Sequence, residues 1–110
     1  MYKKVIDLPN CVLKVQSNSN LDSVLGYGSR LNKKRSFLFI SKLLGKHIPV
    51  TPKKLSSTYV TLAKLINPDI KEDRVLVIGM AETATGLGWG LFEHIVAKSK
   101  MYIHTTRVKL

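Results

Sequence analysis

The chain has 110 residues, of which 45% are hydrophobic and 23% charged, and 18 Lys and Arg against 7 Asp and Glu give a formal net charge of +11. This composition argues against wholesale disorder, and the length suits a single domain, residues 1–110, with one core. All apolar runs are far shorter than the roughly 18 residues of a transmembrane helix, so we expect no membrane span. Asp7 and Pro9 interrupt the N-terminal apolar segment before it could serve as a signal peptide, so we expect a cytoplasmic location. A single cysteine, Cys11, excludes an internal disulfide framework and a multi-cysteine zinc site.

The N-terminal segment is predicted to be a β-hairpin. Two short apolar runs in "YKKVIDLPNCVLKVQ" flank Pro9 and Asn10, which indicates a turn near residues 8–11. We therefore treat residues 1–20 as a hairpin extension and residues 21–110 as the core of the domain.

A short helix is predicted next, in "SNLDSVLGYGSRLN". Ser or Asn caps precede Leu21, Val24 and Leu25, which share one helical face. Gly26 and Gly28 follow them and are typical of a helix end.

The positive charge is concentrated in the N-terminal half. Residues 1–60 hold eleven basic and two acidic side chains, whereas residues 61–110 hold seven and five, and the densest basic run is "RLNKKR", residues 30–35. A field of this sign attracts phosphates. Three interpretations remain open: a solvated surface, a nucleic-acid contact, or binding of a phosphate-bearing small molecule.

From residue 37 onward, strand-like and helix-like segments alternate. The apolar runs "FLFIS", "RVLVIGM" and "MYIHTT" each predict a strand, and the first two are typical of strands buried on both faces. Between them, "SSTYVTLAKLINPD" predicts a helix with Ser or Thr caps that stops at Asn67 and Pro68, and a second helix follows "RVLVIGM". This alternation implies a parallel sheet covered on both faces, and therefore an α/β fold. The apolar faces of the two helices would be Tyr59, Leu62, Ala63 and Ile66, and Leu87, Leu91, Phe92, Ile95 and Val96.

A loop rich in Thr and Gly follows the second strand in "VLVIGMAETATGLGWG". It lies at the carboxyl end of a parallel strand and at the start of a helix, where ligands bind in open α/β sheets and where free amides and the helix dipole favour a phosphate. Thr83, Thr85, Gly86 and Gly88 suit such an anion site, because hydroxyls donate hydrogen bonds and glycines allow close approach. The alternative is that Gly86, Gly88 and Gly90 only let the helix pack tightly on the sheet.

Better-known phosphate and metal motifs do not fit. A P-loop needs a Lys directly after its second Gly, and none follows Gly86. A dinucleotide fingerprint counted from Gly86 or Gly88 finds Leu91 or Glu93 at its third glycine position. Three histidines have no metal-ligand spacing, so we expect no metal held by the protein. They are His47, His94 and His104.

Three blocks of sequence resemble a known family. In this order and spacing, "FLFISKLLGKHIPV", "VLVIGMAETATGLGWGLFE" and "YIHTTR" are similar to the phosphoribosyltransferase-like proteins of tellurite-resistance-type gene clusters, over roughly residues 21–110. The resemblance implies a parallel-sheet, type I phosphoribosyltransferase-like fold. Because the family proteins continue past "HTTR", we expect a fold that is incomplete at its C-terminus, with an open sheet edge that a partner protein or a second copy would complete.

The resemblance also implies a ligand and site residues. The ligand would be phosphoribosyl pyrophosphate or a nucleotide 5′-phosphate, with Mg²⁺ assisting through oxygen ligands. Arg107 would clamp a phosphate bidentately, its alternative being a solvated residue. The 5′-phosphate loop would be Thr83, Ala84, Thr85, Gly86 and Leu87. The pyrophosphate loop would be Ser41, Lys42, Leu43, Leu44, Gly45 and Lys46.

The sequence departs from the family pattern at the end of "RVLVIGM". Many phosphoribosyltransferases have two adjacent acids there that hold the ribose hydroxyls, whereas this chain has Gly79 and Met80. The nearest acid, Glu82, either reaches a ribose hydroxyl as the catalytic candidate or is an exposed loop acid.

Three functions follow from these observations. The first is binding of phosphoribosyl pyrophosphate or a nucleotide 5′-phosphate, with transfer of the phosphoribosyl group to a base or related acceptor when another chain completes the protein. The second is a non-catalytic ligand-binding or assembly subunit of the same fold. The third is a basic nucleic-acid-binding module that uses "RLNKKR", for which the chain has no recognition motif.

Overall fold

In the computed structural model, which describes residues 1–108, the chain forms two compact units, Met1–Val50 and Thr51–Leu110. The first unit contains two antiparallel strand pairs, and the second contains two α-helices, a 3-10 helix at Pro68–Glu72 and a parallel strand pair. The elements are β1 (Tyr2–Leu8), β2 (Cys11–Ser17), β3 (Leu25–Ser29), β4 (Phe37–Ser41), α1 (Pro52–Ala63), β5 (Arg74–Gly79), α2 (Thr83–His94) and β6 (Ser99–His104). The chain is therefore a mixed α/β protein. None of the helices in this described part has the length and apolar character that crossing a bilayer requires.

The strands β1 and β2 form the predicted N-terminal hairpin. At its turn, the Asn10 side-chain amide donates to the Arg30 carbonyl at 2.8 Å. At its open end, the Lys4 ammonium and the Tyr2 hydroxyl both donate to one Asp22 carboxylate oxygen, at 2.7 and 2.8 Å. The hairpin is thus attached to the rest of the first unit at both ends.

The segment predicted to be a short helix is a strand, so that prediction is wrong. β3 pairs antiparallel with β4, and a single turn precedes it, in which the Leu21 carbonyl accepts two amide hydrogen bonds. Gly26 and Gly28 explain the difference, because the Ile40 side chain of β4 packs against both, and a Cβ on Gly28 would lie 3.2 Å from Ile40 Cδ1. Cross-strand packing outweighs a helix signal that rests on three apolar residues.

The strand β4 is present as predicted, but its partner differs. It pairs antiparallel with β3, so it is not the parallel strand that the sequence predicted. Only residues 30–36 separate β3 from β4, and a connection this short permits an antiparallel pair and no parallel crossover. Phe39 meets Tyr27 edge to face, with ring centroids 5.9 Å apart, and is 56% exposed, so β4 is not buried on both faces.

The strands β5 and β6 form the predicted parallel pair, with α2 as the crossover helix. Gly88 of α2 lies against Gly79 at the end of β5, and a Cβ on Gly88 would lie 3.0 Å from the Gly79 Cα. After the helix, Ile95 is 7% exposed and is the only large apolar side chain buried within residues 1–108. The small core of the second unit is therefore built around α2.

The face of the β5–β6 pair opposite the Gly79–Gly88 contact is apolar and exposed. Leu76 pairs with Met101 and Ile78 with Ile103, and all four side chains are between 45 and 63% exposed. Parallel sheets normally have both faces covered. The prediction that "RVLVIGM" is buried on both faces is therefore wrong for this face.

The helix limits differ from those predicted. α1 begins earlier, at Pro52, because Thr51 caps it by accepting the Lys54 amide at 3.2 Å, and proline at the first position needs no amide partner. The predicted caps at residues 56–58 instead lie inside the helix. Three apolar residues predicted on helix faces lie beyond the helix ends: Ile66, Ile95 and Val96.

Two glycine substitutions should change stability in opposite directions. A Cβ at Gly79 would lie 2.5 Å from the Tyr102 hydroxyl oxygen and 2.6 Å from the Ala84 carbonyl oxygen, whereas a Cβ at Gly86 would meet no atom of the described residues within 4 Å. We expect Gly79→Ala to destabilise the fold by about 1–3 kcal/mol through overpacking. Gly86→Ala should stabilise it by about 1 kcal/mol, since alanine is the better helix former. Urea unfolding measures both shifts, and a stabilised Gly79→Ala variant would contradict the packing.

The Lys4–Asp22 pair should make the attachment of the hairpin depend on pH. The hydrogen bond from Lys4 lowers the pKa of the Asp22 carboxyl below its ordinary value of 3.8, and the bond from Tyr2 acts in the same direction. The stabilisation is present above pH 3.8 and is lost as the pH falls through the lowered folded-state pKa. We expect Lys4→Met to raise the Asp22 pKa, whereas Lys3→Met, on the other face of β1, should not. An NMR titration of the Asp22 carboxyl that gives the same pKa in wild type and Lys4→Met would disprove the pairing.

Candidate functional site

The 5′-phosphate segment, residues 83–87, lies where the sequence predicted it, between the carboxyl end of β5 and the body of α2. It forms the first turns of α2 itself, so it is helical and not a separate loop. Only the connection Met80–Glu82 separates it from β5. Glu82, the predicted catalytic acid, is the exposed N-cap residue of α2, and its side chain makes no capping hydrogen bond.

Two amides of this segment are already hydrogen-bonded. The Ala84 amide donates to the Met80 carbonyl at 3.1 Å, and the Thr85 amide donates to the Glu82 carbonyl at 3.2 Å. The sequence predicted free amides at the helix start, and these two are not free. An anion that used them would have to replace the carbonyls of the connection as their acceptors.

The glycines of α2 have different roles. Gly88 and Gly90 are buried, and a Cβ on either would run into Gly79 and Tyr102 or into the Tyr59 ring. The packing interpretation therefore holds for these two. Gly86 is exposed, and a Cβ there would meet no atom of residues 1–108 within 4 Å. At Gly86 the main chain of the first turns is thus open to a ligand.

The segment that follows β6 contacts the connection Met80–Glu82. The Thr105 amide donates to the Gly79 carbonyl at 3.0 Å, and the Thr105 hydroxyl oxygen accepts the Ala81 amide at 2.7 Å. The Arg107 guanidinium donates to the Ala81 carbonyl at 3.3 Å. The structure thus brings Arg107 to the connection that precedes the 5′-phosphate segment, although 26 residues separate Arg107 from Ala81 in the sequence.

Tyr102 of β6 joins the sheet to the start of α2. Its hydroxyl donates to the Thr85 carbonyl, and its ring packs 5.5 Å from that of Trp89 and 5.9 Å from that of Phe92. The same hydroxyl occupies the space that a side chain at Gly79 would need. An acidic residue at position 79 therefore cannot fit beside Tyr102 without displacing it.

Thr105 and Tyr102 were not predicted to belong to the site. A signal was available, because the carboxyl ends of neighbouring parallel strands meet at one edge of a sheet, and both residues lie at that end of β6 or just after it. Their hydroxyls distinguish them from the apolar residues of the strand.

The predicted pyrophosphate segment, residues 41–46, belongs to the first unit, Met1–Val50. The Ser41 hydroxyl accepts the Leu43 amide at 3.1 Å, and the Lys42 ammonium donates to the Asp22 carbonyl at 2.6 Å. Gly45 has φ 70°, in the left-handed region that favours glycine, and Lys46 is exposed. This segment is an ordered turn, and Lys42 is directed at the main chain of its own unit.

The described residues do not form a metal site. No group of three or more His, Cys, Asp or Glu side chains within residues 1–108 is arranged to hold a metal ion. Glu82 is the one carboxylate in the connection next to the 5′-phosphate segment. The chain's own residues therefore do not fit a resident Mg²⁺. The three histidines are separate: His47 lies in the turn after β4, His94 ends α2 and His104 ends β6.

The basic run "RLNKKR" forms the connection between β3 and β4 in the first unit. The Asn32 side chain accepts the amides of Lys34 and Arg35, at 2.9 and 3.3 Å, and so orders this turn. Lys33, Lys34 and Arg35 are exposed. The run is thus an ordered, exposed connection of the first unit.

Comparison with known protein families assigns most of the chain to one family. Residues 24–110, more than three quarters of the chain, match the family described as phosphoribosyl transferase. The matched region contains the 5′-phosphate segment, the pyrophosphate segment and Arg107, whereas β1 and β2 precede it. Searches of curated proteins and of solved structures found no match. The chain belongs to the phosphoribosyl transferase family.

Proposed function

We propose that the 5′-phosphate segment binds the 5′-phosphate of phosphoribosyl pyrophosphate or of a nucleotide. Membership of the family supports this, and the structural observation that carries it is the contrast between Gly86 and Gly88. Packing requires a glycine at residue 88, but nothing in the described chain requires one at residue 86. An exposed glycine at the positive end of a helix dipole is suited to close approach by a phosphate.

Arg107 supplies the positive charge in this proposal. Its guanidinium is exposed, and its 3.3 Å bond to the Ala81 carbonyl is easily exchanged for a phosphate oxygen, because water can satisfy the released carbonyl. The hydroxyls of Thr83 and Thr85 would add donors on the same turn. A guanidinium binds a phosphate through two parallel hydrogen bonds, which fixes its orientation as well as its position.

Transfer of the phosphoribosyl group would require more than this segment. The acceptor nitrogen would form a bond to the anomeric carbon while the bond to pyrophosphate breaks, the pyrophosphate would leave with the electron pair, and the acceptor nitrogen would release its proton to solvent. Lys42 and Lys46 of the pyrophosphate segment are the residues that the resemblance implies for neutralising the leaving group. Mg²⁺ would enter with the pyrophosphate oxygens, since the described residues offer no site of their own. A partner protein or second copy would supply the acceptor side.

A non-catalytic ligand-binding or assembly role is the second candidate, and Gly79 favours it. The Tyr102 hydroxyl fills the space that a side chain at residue 79 would need, and the resemblance implies an acid near this strand end in many phosphoribosyltransferases. Binding of the 5′-phosphate does not need an acid at residue 79, whereas holding the ribose hydroxyls would. Release of pyrophosphate from phosphoribosyl pyrophosphate, measured with Mg²⁺ and a panel of bases, separates transfer from binding alone.

Gly86→Ala should weaken phosphate binding in a protein that is better folded. The added methyl group stands where the phosphate would approach, so we expect the affinity for ribose 5-phosphate to fall about tenfold or more. Titration calorimetry of wild type and variant measures this, with unphosphorylated ribose as the control ligand. Equal affinities for ribose 5-phosphate would show that the phosphate does not approach at Gly86.

Substitutions of Arg107 should test its role as a phosphate ligand. We expect Arg107→Ala to lower the affinity for ribose 5-phosphate about tenfold, and Arg107→Lys to recover only part of it, because an ammonium cannot form the bidentate contact. Arg74→Ala removes the same charge from the opposite end of β5 and serves as the matched control. If Arg74→Ala weakens binding as much as Arg107→Ala, the general positive charge of the protein and not a specific clamp accounts for the affinity.

A further inference from the structure

Both backbone polar groups of one residue, Ala81, are bonded to the segment after β6. The Ala81 amide donates to the Thr105 hydroxyl oxygen at 2.7 Å, and the Ala81 carbonyl accepts from Arg107 at 3.3 Å. Ala81 is the middle residue of the three-residue connection between β5 and α2. Because the connection is so short, a restraint on its middle residue restrains the whole of it.

The two bonds differ in strength. The bond to Thr105 is short and half-buried, so its loss would leave the Ala81 amide without an equivalent partner. The bond to Arg107 is long and exposed, and water replaces it readily. Thr105 therefore provides the lasting restraint, while Arg107 remains available to a ligand.

The restraint on Ala81 extends to the first amides of α2. The carbonyl before Ala81, that of Met80, accepts the Ala84 amide, and the carbonyl after it, that of Glu82, accepts the Thr85 amide. The Met80 carbonyl and the Ala81 amide belong to the same planar peptide unit, so the bond from the Ala81 amide to Thr105 fixes the direction of the Met80 carbonyl. The Glu82 carbonyl lies one residue further along the same short connection and is restrained through it. These two carbonyls compete with a phosphate for the amides of Ala84 and Thr85.

We infer that Thr105 is the positioning residue of the 5′-phosphate segment. Its hydroxyl holds Ala81, and through Ala81 it sets the carbonyls that compete with a phosphate for the first amides of α2. The backbone of Thr105 is itself fixed, because its amide donates to the Gly79 carbonyl at 3.0 Å and extends the β5–β6 ladder. Thr105 does not contact the ligand in this inference, which rests on the proposed function for its ligand.

Three variants test the restraint without any ligand. Thr105→Val removes the hydroxyl at nearly constant shape, Thr105→Ser restores it, and Thr106→Val alters the neighbouring exposed threonine, whose hydroxyl makes no hydrogen bond within residues 1–108. Hydrogen exchange of the Ala81 amide, followed by NMR, should be about fivefold faster or more in Thr105→Val. Exchange in Thr105→Ser and Thr106→Val should match wild type. If Thr105→Val does not fold, Thr105→Ala takes its place.

The same proteins are then titrated with ribose 5-phosphate. We expect Thr105→Val to bind about fivefold more weakly than wild type, with recovery in Thr105→Ser and no change in Thr106→Val. Unchanged exchange of the Ala81 amide in Thr105→Val would overturn the restraint. Faster exchange with unchanged affinity would overturn the positioning role and leave the proposed function standing. If exchange of the Ala81 amide behaves as expected but the wild type does not bind ribose 5-phosphate, the proposed function is wrong. The positioning role of Thr105 is then also wrong, but the restraint on Ala81 still holds.

Discussion

The second unit depends on the close approach of α2 to the end of β5. Gly88 and Gly79 lie so near each other that a side chain on either would push the helix away from the strand. That approach allows the Tyr102 hydroxyl to reach the Thr85 carbonyl and leaves only three residues between β5 and α2. Gly86 is open, whereas Gly88 and Gly90, two and four residues later, are packed against the rest of the unit.

The same contact bears on the proposed function. A phosphate at the start of α2 would need access to the main chain, which Gly86 leaves open. Acids that hold a ribose ring would have to stand at the end of β5, where the packing leaves no room for a side chain at Gly79. The arrangement would therefore suit recognition of a phosphate better than contact with a ribose. Among the residues near the connection, only Glu82 supplies a carboxylate.

Local sequence patterns predicted those helices and strands that are determined by residues close together in the sequence. The hairpin, β5, α2 and β6 follow from apolar runs, turn residues and helical spacing. The pairing of strands could not be predicted in the same way. β4 pairs with β3 because Gly26 and Gly28 leave room for the Ile40 side chain. These residues are 12 or more positions apart in the sequence. The assignment of residues 83–87 to a 5′-phosphate stays a prediction. The contribution of Thr105 depends on a contact across 24 residues, which no spacing rule contains. The gene-cluster association and the ligand stay predictions.

The uncovered face of the β5–β6 pair has a consequence for the behaviour of the protein in solution. Four large apolar side chains stand on one flat surface, and such surfaces attract each other over short distances. The net charge of +11 opposes this, because chains of like charge repel one another before their apolar faces meet. The range of the repulsion is about 10 Å at 0.1 M salt and shrinks as the ionic strength rises. The tendency of the protein to associate should therefore depend on the ionic strength of the solvent as well as on the fold.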